Sequence, residues 1–209
     1  MFLDGIELKT TDDQDIDDII RVEKNAFGYN KEANLVLGLL EDESAEPMLS
    51  LLAYHQGRAV GHILFTAVRI EGQPTSPLMH ILAPLAVTPD YQRQGVGGLL
   101  INAGIQKLRE MGSKAVFVLG HKEYYPRYGF QTDAGQLGFA TPFPITDKYR
   151  ECWMMQVISP EGLTSGGGKI QCAEMLNKPQ HWRDEVADKV TTENKYLQQI
   201  YETGMRVRL

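Results

Sequence analysis

Residues 79–119 begin with an apolar run, MHILAPLAV (79–87), followed by a turn rich in glycine and glutamine, TPDYQRQGVGG (88–98). A helical pattern comes next, and then a second apolar run, KAVFVL (114–119). No other feature constrains the fold as much. Two strands joined through a helix must lie parallel, and strand twist makes the crossover right-handed. In the helical stretch, Val96 to Met111, the apolar Leu99, Leu100, Ala103, Ile105 and Leu108 recur on one face until Gly112 ends the pattern. The chain is therefore α/β. Pro84 interrupts the first run, and its missing N–H would break the ladder or mark a bulge there.

The flanking segments extend this unit. Gly5 to Thr10 alternates like a strand, and Thr11-Asp12-Asp13-Gln14 resembles a capping box. A first helix follows up to Gly28, and a second covers Asn30 to Glu43. Met48 to Tyr54 and Ala59 to Ile70 form an antiparallel hairpin around His55-Gln56-Gly57-Arg58. Past KAVFVL, GHKEYYPRYGF suggests a short helix stopped at Gly129, and Glu151 to Ile158 one more strand. Thr164-Ser165-Gly166-Gly167-Gly168 is the best linker, which divides the chain into a domain over 1–163 and a helical C-terminal appendage over 164–209, packed on the same domain. Trp182 packs that segment or closes over a substrate.

A net charge of −6 argues against nucleic-acid partners, which need a basic face. The absence of a long apolar run or a signal-like start points away from the membrane and toward the cytoplasm. Cys152 and Cys172, without Cys-x-x-Cys spacing or clustered histidine, are expected as reduced structural thiols, and no metal site is expected.

The remaining question is what the glycine loop holds. A helix beginning at Gly95 would present free N–H groups and the positive end of its dipole to a phosphate or pyrophosphate; alternatively the glycines only serve a tight turn. The run lacks the Lys-Ser/Thr of a Walker loop, and Gly95-Val96-Gly97-Gly98-Leu99-Leu100 lacks the third small residue of a dinucleotide fingerprint.

The pattern Leu85-Ala86-Val87-x-Pro89-x-x-Gln92-x-x-Gly95-x-Gly97 resembles motif A of the GNAT superfamily of N-acetyltransferases. Tyr125-Pro126-Arg127-Tyr128-Gly129-Phe130 resembles the Tyr-x-x-x-Gly-Phe of its motif B, in the right order and with KAVFVL between them. The likeness covers about residues 5 to 158, and VLGHKEYYPRYGF is similar to a bacterial branch of predicted acetyltransferases. The resemblance implies a mixed twisted sheet of about six to seven strands flanked by helices. It also implies acetyl-CoA as cosubstrate, an amine acceptor in a small molecule or protein, attack through a tetrahedral intermediate, and a possible homodimer. By the same resemblance, Gln92, Arg93, Gln94, Gly95, Val96, Gly97 and Gly98 hold the pyrophosphate. Arg93 either contacts a phosphate or is simply solvated. The pantetheine arm pairs with main chain around Leu85, Ala86 and Val87, where a backbone N–H polarises the thioester.

Tyr125 is the residue that aligns with the motif B tyrosine and would protonate the departing thiolate, since a phenol is protonated at neutral pH. Tyr124 and Tyr128 do not match the spacing. The general base is not assigned: where relatives place a glutamate, this chain has Ile81. His80 is adjacent but points to the opposite face unless a bulge near Pro84 shifts the register. His121, Glu123 or relayed water are further options. Phe27, Tyr29 and Glu32 are expected as walls of the acceptor pocket. The competing function is a non-catalytic acyl-CoA binding module that senses occupancy.

Overall fold

The computed structural model describes residues 4–163 and 166–182 of the chain. Eight strands make the sheet: β1 (Ile6–Thr10), β2 (Leu49–His55), β3 (Arg58–Ile70), β4 (Met79–Val87), β5 (Ala115–Leu119), β6 (Phe139–Ala140), β7 (Trp153–Val157) and β8 (Gly168–Gln171). The main path runs β1-β2-β3-β4-β5-β7, while β8 pairs with the far end of β3 and with β6. All pairings are antiparallel except β4 with β5 and β6 with β8, so the sheet is mixed and two strands join the expected set. Residues 183–209, most of the expected helical appendage, lie outside the described residues. The described part of that segment begins with a strand rather than a helix, because Gly168–Gln171 continues the ladder of β3.

Among the described residues three α-helices cover the two faces. The first, α1 (Ile16–Phe27), follows a capping box one residue later than the sequence suggested: the Asp12 side chain accepts from the Gln14 amide and Asp15 returns a bond to the Asp12 amide. Gly28, in the left-handed region at φ 74°, stops it. The second, α2 (Lys31–Leu40), packs beside it. On this face Leu64, Val68, Ile81 and Phe117 meet Ile19, Val22, Val36 and Leu39. The opposite face carries α3 (Val96–Glu110), whose Leu100, Ile101 and Ile105 pack against Ile63, Phe65 and Val116. Trp182, 3% exposed, meets the Trp153 ring edge-on at 5.8 Å, and Trp153 stacks on Phe117. That contact gives Trp182 a packing role.

Pro84 does mark a bulge. Ile63 pairs with Leu85 and Phe65 with Leu82, so three steps along β4 oppose two along β3. The bulge re-aims everything after it, placing Ala86 on the α1 face and Leu85 and Val87 on the α3 face.

Candidate active site

β4 and β5 part company in the middle of the sheet. They pair only at His80 with Val116 and at Ile81 with Phe117, although β4 stays bonded to β3 as far as Val87 and β5 to β7 as far as Leu119. Beyond Ile81 the facing edges diverge into a crevice. Met79 to Leu82 are buried, whereas Ala83, Pro84, Leu85 and Val87 are only partly so.

The glycine loop closes one end of that crevice. Arg93 and Gly95 both adopt positive φ, 61° and 90°, and Gly95 caps α3. Among the described residues no side chain caps the helix and its first turn holds no acidic residue, so the N–H groups of Val96, Gly97 and Gly98 have no helical acceptor. Gln92 and Gln94 brace the turn instead, donating to the Val87 carbonyl at 3.0 Å and the Asp90 carbonyl at 2.6 Å. Arg93 is exposed.

Gly97 and Gly98 serve a second purpose that their spacing did not reveal. A methyl group at position 97 would lie 2.5 Å from the Tyr124 hydroxyl and 3.6 Å from Leu85 Cδ2, and one at 98 would lie 2.6 Å from the Tyr128 hydroxyl. The two phenols therefore rest on the first turn of α3. Burial, together with the neighbouring Tyr128, pushes the Tyr124 phenol far above its ordinary range.

Tyr125 faces elsewhere. Its ring lies against Gly120, at the carboxyl end of β5, and against Phe130, with centroids 5.5 Å apart. It is 8% exposed, burial raises its pKa strongly, and its hydroxyl makes no hydrogen bond among the described residues.

His80 is not at the crevice. It lies five residues before Leu85, on the order of 15 Å along the strand at ~3.3 Å per residue. The bulge comes after it and leaves it on the face opposite Ile81. Its Nε2–H donates to the Pro47 carbonyl at 2.8 Å and its Nδ1 accepts from Ser113 at 2.9 Å, while burial lowers its pKa. This is a buried neutral histidine tying β4 to two loops, so the candidate base that the sequence offered does not stand at the crevice.

The expected acceptor residues come together at the α1–α2 junction. The Tyr29 hydroxyl donates to Glu32 Oε1 at 2.8 Å, and the Phe27 and Tyr29 rings lie 6.4 Å apart. Beneath them is a polar cluster that the sequence reading missed. Glu23 Oε1 and His62 Nδ1 are 2.6 Å apart, both residues fully buried, and His62 Nε2 lies 3.0 Å from Ser50 Oγ. With Nδ1–H donating to Glu23, Nε2 accepts from the serine hydroxyl. Burial raises the Glu23 carboxyl above its ordinary range, with the His62 hydrogen bond opposing the rise. His62 is the cross-strand neighbour of Ala86, so the cluster sits beside the crevice on its α1 side. A signal existed: Glu23 falls on the apolar stripe of α1, between Ile19 and Ala26, and His62 interrupts the run AVGHILF.

Among the described residues no group of three His, Cys, Asp or Glu could hold a metal, and no helix is long and apolar enough to cross a membrane. Cys152 and Cys172 are buried and unpaired.

The model of the acetyltransferase (GNAT) family matches residues 14–130. The uncharacterized N-acetyltransferase YjhQ of Escherichia coli K12 is 57% identical over 164 residues, covering 78% of this chain and 90% of YjhQ. Among solved structures, the GNAT family N-acetyltransferase YhbS of Escherichia coli, in complex with CoA, superposes with a TM-score of 0.74 at 26% identity, covering 83% of this chain and 93% of that one. A GNAT family acetyltransferase from Brucella melitensis, in complex with acetyl-CoA, gives a TM-score of 0.65 at 25% identity, covering 82% and 98%. A split parallel pair ending at an uncapped helix, a family match over more than half of the length and a relative of this identity lead to one conclusion: the chain belongs to the GNAT family of acetyltransferases.

Proposed function

We propose that the chain moves the acetyl group of acetyl-CoA to a primary amine of a small molecule or a protein. The observation that carries this is the divergence of β4 from β5 after Ile81, with the free amides of α3 at its end. The residues present suit the ligand. Main-chain N–H groups from Arg93 to Gly98 would take the pyrophosphate, the Gln92 amide being held by the Pro89 carbonyl, and the main chain of β4 from Leu85 to Val87, partly exposed at Leu85 and Val87, would pair with the pantetheine arm. Bound there, acetyl-CoA supplies an activated thioester carbonyl. A backbone N–H near Leu85 polarises that carbonyl, and Tyr125, kept protonated by burial and with its hydroxyl uncommitted, gives its proton to the departing sulfur.

Calorimetric titration with acetyl-CoA, followed by thiol release across a panel of primary amines, tests the reading. Replacing Gly95 by Val forces a β-branched residue into the left-handed region and is expected to weaken acetyl-CoA binding by more than about tenfold. Tyr125→Phe should leave binding intact and slow thiol release about a hundredfold, a usual size for a lost proton donor. Unchanged binding in the first variant would remove the loop from the site. Unchanged release in the second would remove Tyr125 from the chemistry.

A further inference from the structure

We propose that two copies of the chain join antiparallel along β1, so that their sheets continue across a twofold axis at Leu8. Nothing in this pairing depends on acetyl transfer.

β1 ends the main path of the sheet and pairs on one side only, with β2. Its residues from Glu7 to Thr10 are exposed. The Thr11 amide donates to the Ser50 carbonyl at 3.1 Å, in register with the pairs that precede it. Hydrogen-bonding direction alternates along an antiparallel strand, so Glu7 and Lys9 turn their main-chain groups toward β2 while Ile6, Leu8 and Thr10 turn theirs outward. Among the described residues no main-chain group bonds to that outward row. An open row of donors and acceptors is a template for another strand. Gly5, at φ 79°, turns the chain before Ile6, and the capping box at Asp12 turns it after Thr10, which limits a new ladder to these five residues.

The residues select a second copy as the partner. A twofold axis at residue 8 sets Leu8 opposite its own copy, Ile6 opposite Thr10 and Glu7 opposite Lys9. Every outward group of β1 is then paired, and each glutamate faces a lysine. An axis one residue earlier sets Glu7 against Glu7, and one residue later sets Lys9 against Lys9; like charges directly opposite are destabilising. Charge and hydrogen bonding thus favour the same register. Leu8, 40% exposed, lies on the α3 face with Ile6 and would be covered by its copy across the axis.

A lysine on an edge strand ordinarily keeps a second strand away. Lys9 is placed differently. Its Nζ lies 2.7 Å from Asp15 and 3.5 Å from Asp12, and these carboxylates also serve the amides at the start of α1. Two of its three N–H donors are directed at them, and the third is available to a glutamate opposite. Five residues make a small interface, so the dimer should form at high protein concentration and dissociate on dilution.

The test is sedimentation velocity of the full chain over a dilution series, with amide hydrogen exchange at its concentrated end. Dimer should give way to monomer on dilution, and the Leu8 amide should exchange more slowly in the dimer. Leu8→Pro removes an N–H that the monomer leaves to solvent, a change that edge strands tolerate, and should give a folded monomer at every concentration. Glu7→Lys opposes two pairs of lysines and should raise the dissociation constant at least about tenfold. Lys9→Glu opposes two pairs of glutamates and should do the same. Mixing these two variants sets unlike charges opposite again and should give a mixed dimer of nearly the parent affinity. Lys9 also braces Asp15, so if Lys9→Glu does not fold, Leu8→Pro and Glu7→Lys decide the matter. A parent chain that is monomeric throughout would overturn the proposal, and so would a dimer that Leu8→Pro and Glu7→Lys leave unchanged.

Discussion

The two sides of the crevice are built from different materials. On the α3 side the groups proposed to act are main-chain amides at a helix start and the unpaired edge of β4, supported by glycines and two glutamine side chains. On the α1 side the polar groups are side chains, Glu23, His62, Ser50 and Glu32, drawn from two helices and two strands. Backbone donors are present whatever the side chain, so the first side tolerates sequence change except where dihedrals or close approach require glycine. Buried charges depend on their partners, so the second side fails when one member is removed.

The largest effect expected from that contrast is on stability. His62→Ala leaves the Glu23 carboxyl buried without its partner, and breaking such a pair costs about 3–5 kcal/mol. Urea denaturation should show this loss, while the acetyl-CoA affinity of the folded protein stays within about twofold, because the loop amides are on the other face. A matching fall in affinity would show that the two sides are not independent.

A smaller effect sharpens the role of the loop glycines. Gly97→Ala drives a methyl group into the Tyr124 hydroxyl and should cost about 1–3 kcal/mol, as overpacking does. Combining it with Tyr124→Phe should restore part of that loss in a double-mutant cycle. Additive losses would mean that the tyrosine is not what position 97 accommodates.

The smallest effect is pH-dependent. The Glu23 carboxyl is raised above its ordinary value of 4.5, so as pH rises past that point the unfolded chain releases this proton before the folded one, and stability falls through the window up to the raised value. Glu23→Gln removes that decline. Its stability relative to the parent should therefore improve with rising pH, by about 1.4 kcal/mol for each unit by which the carboxyl is raised. A difference constant with pH would show that the carboxyl is unshifted beside His62, Ser50 and Glu32.

Much of the α3 side could be read from the chain. The strand, turn, helix and strand from Met79 to Leu119 occur in order with boundaries within a residue or so, and the bulge is where Pro84 was expected to break the ladder. Local chemistry governs each of these: glycine dihedrals, a missing N–H, helical periodicity. The strands β6 and β8 escaped notice because they are two and four residues long and are strands only by pairing with distant partners. Tyr124 and Tyr125 are neighbours of which only Tyr125 has the motif spacing, and packing sets them further apart, one over Gly97 and the other over Gly120.

The α1 side was hardly visible for the same physical reason. Glu23 and His62 are 39 residues apart, and either alone is an oddity in an apolar pattern. His80 looked equally odd in its strand, yet the fold gives it a loop carbonyl and a serine, far from the crevice. By itself, then, the sequence determined the parallel crossover, the glycine turn and the bulge, because short-range sterics and hydrogen bonding act between residues close in the chain. The tertiary structure decided which buried polar residues meet, because burial makes a charge costly and only a partner brought from elsewhere in the chain offsets that cost.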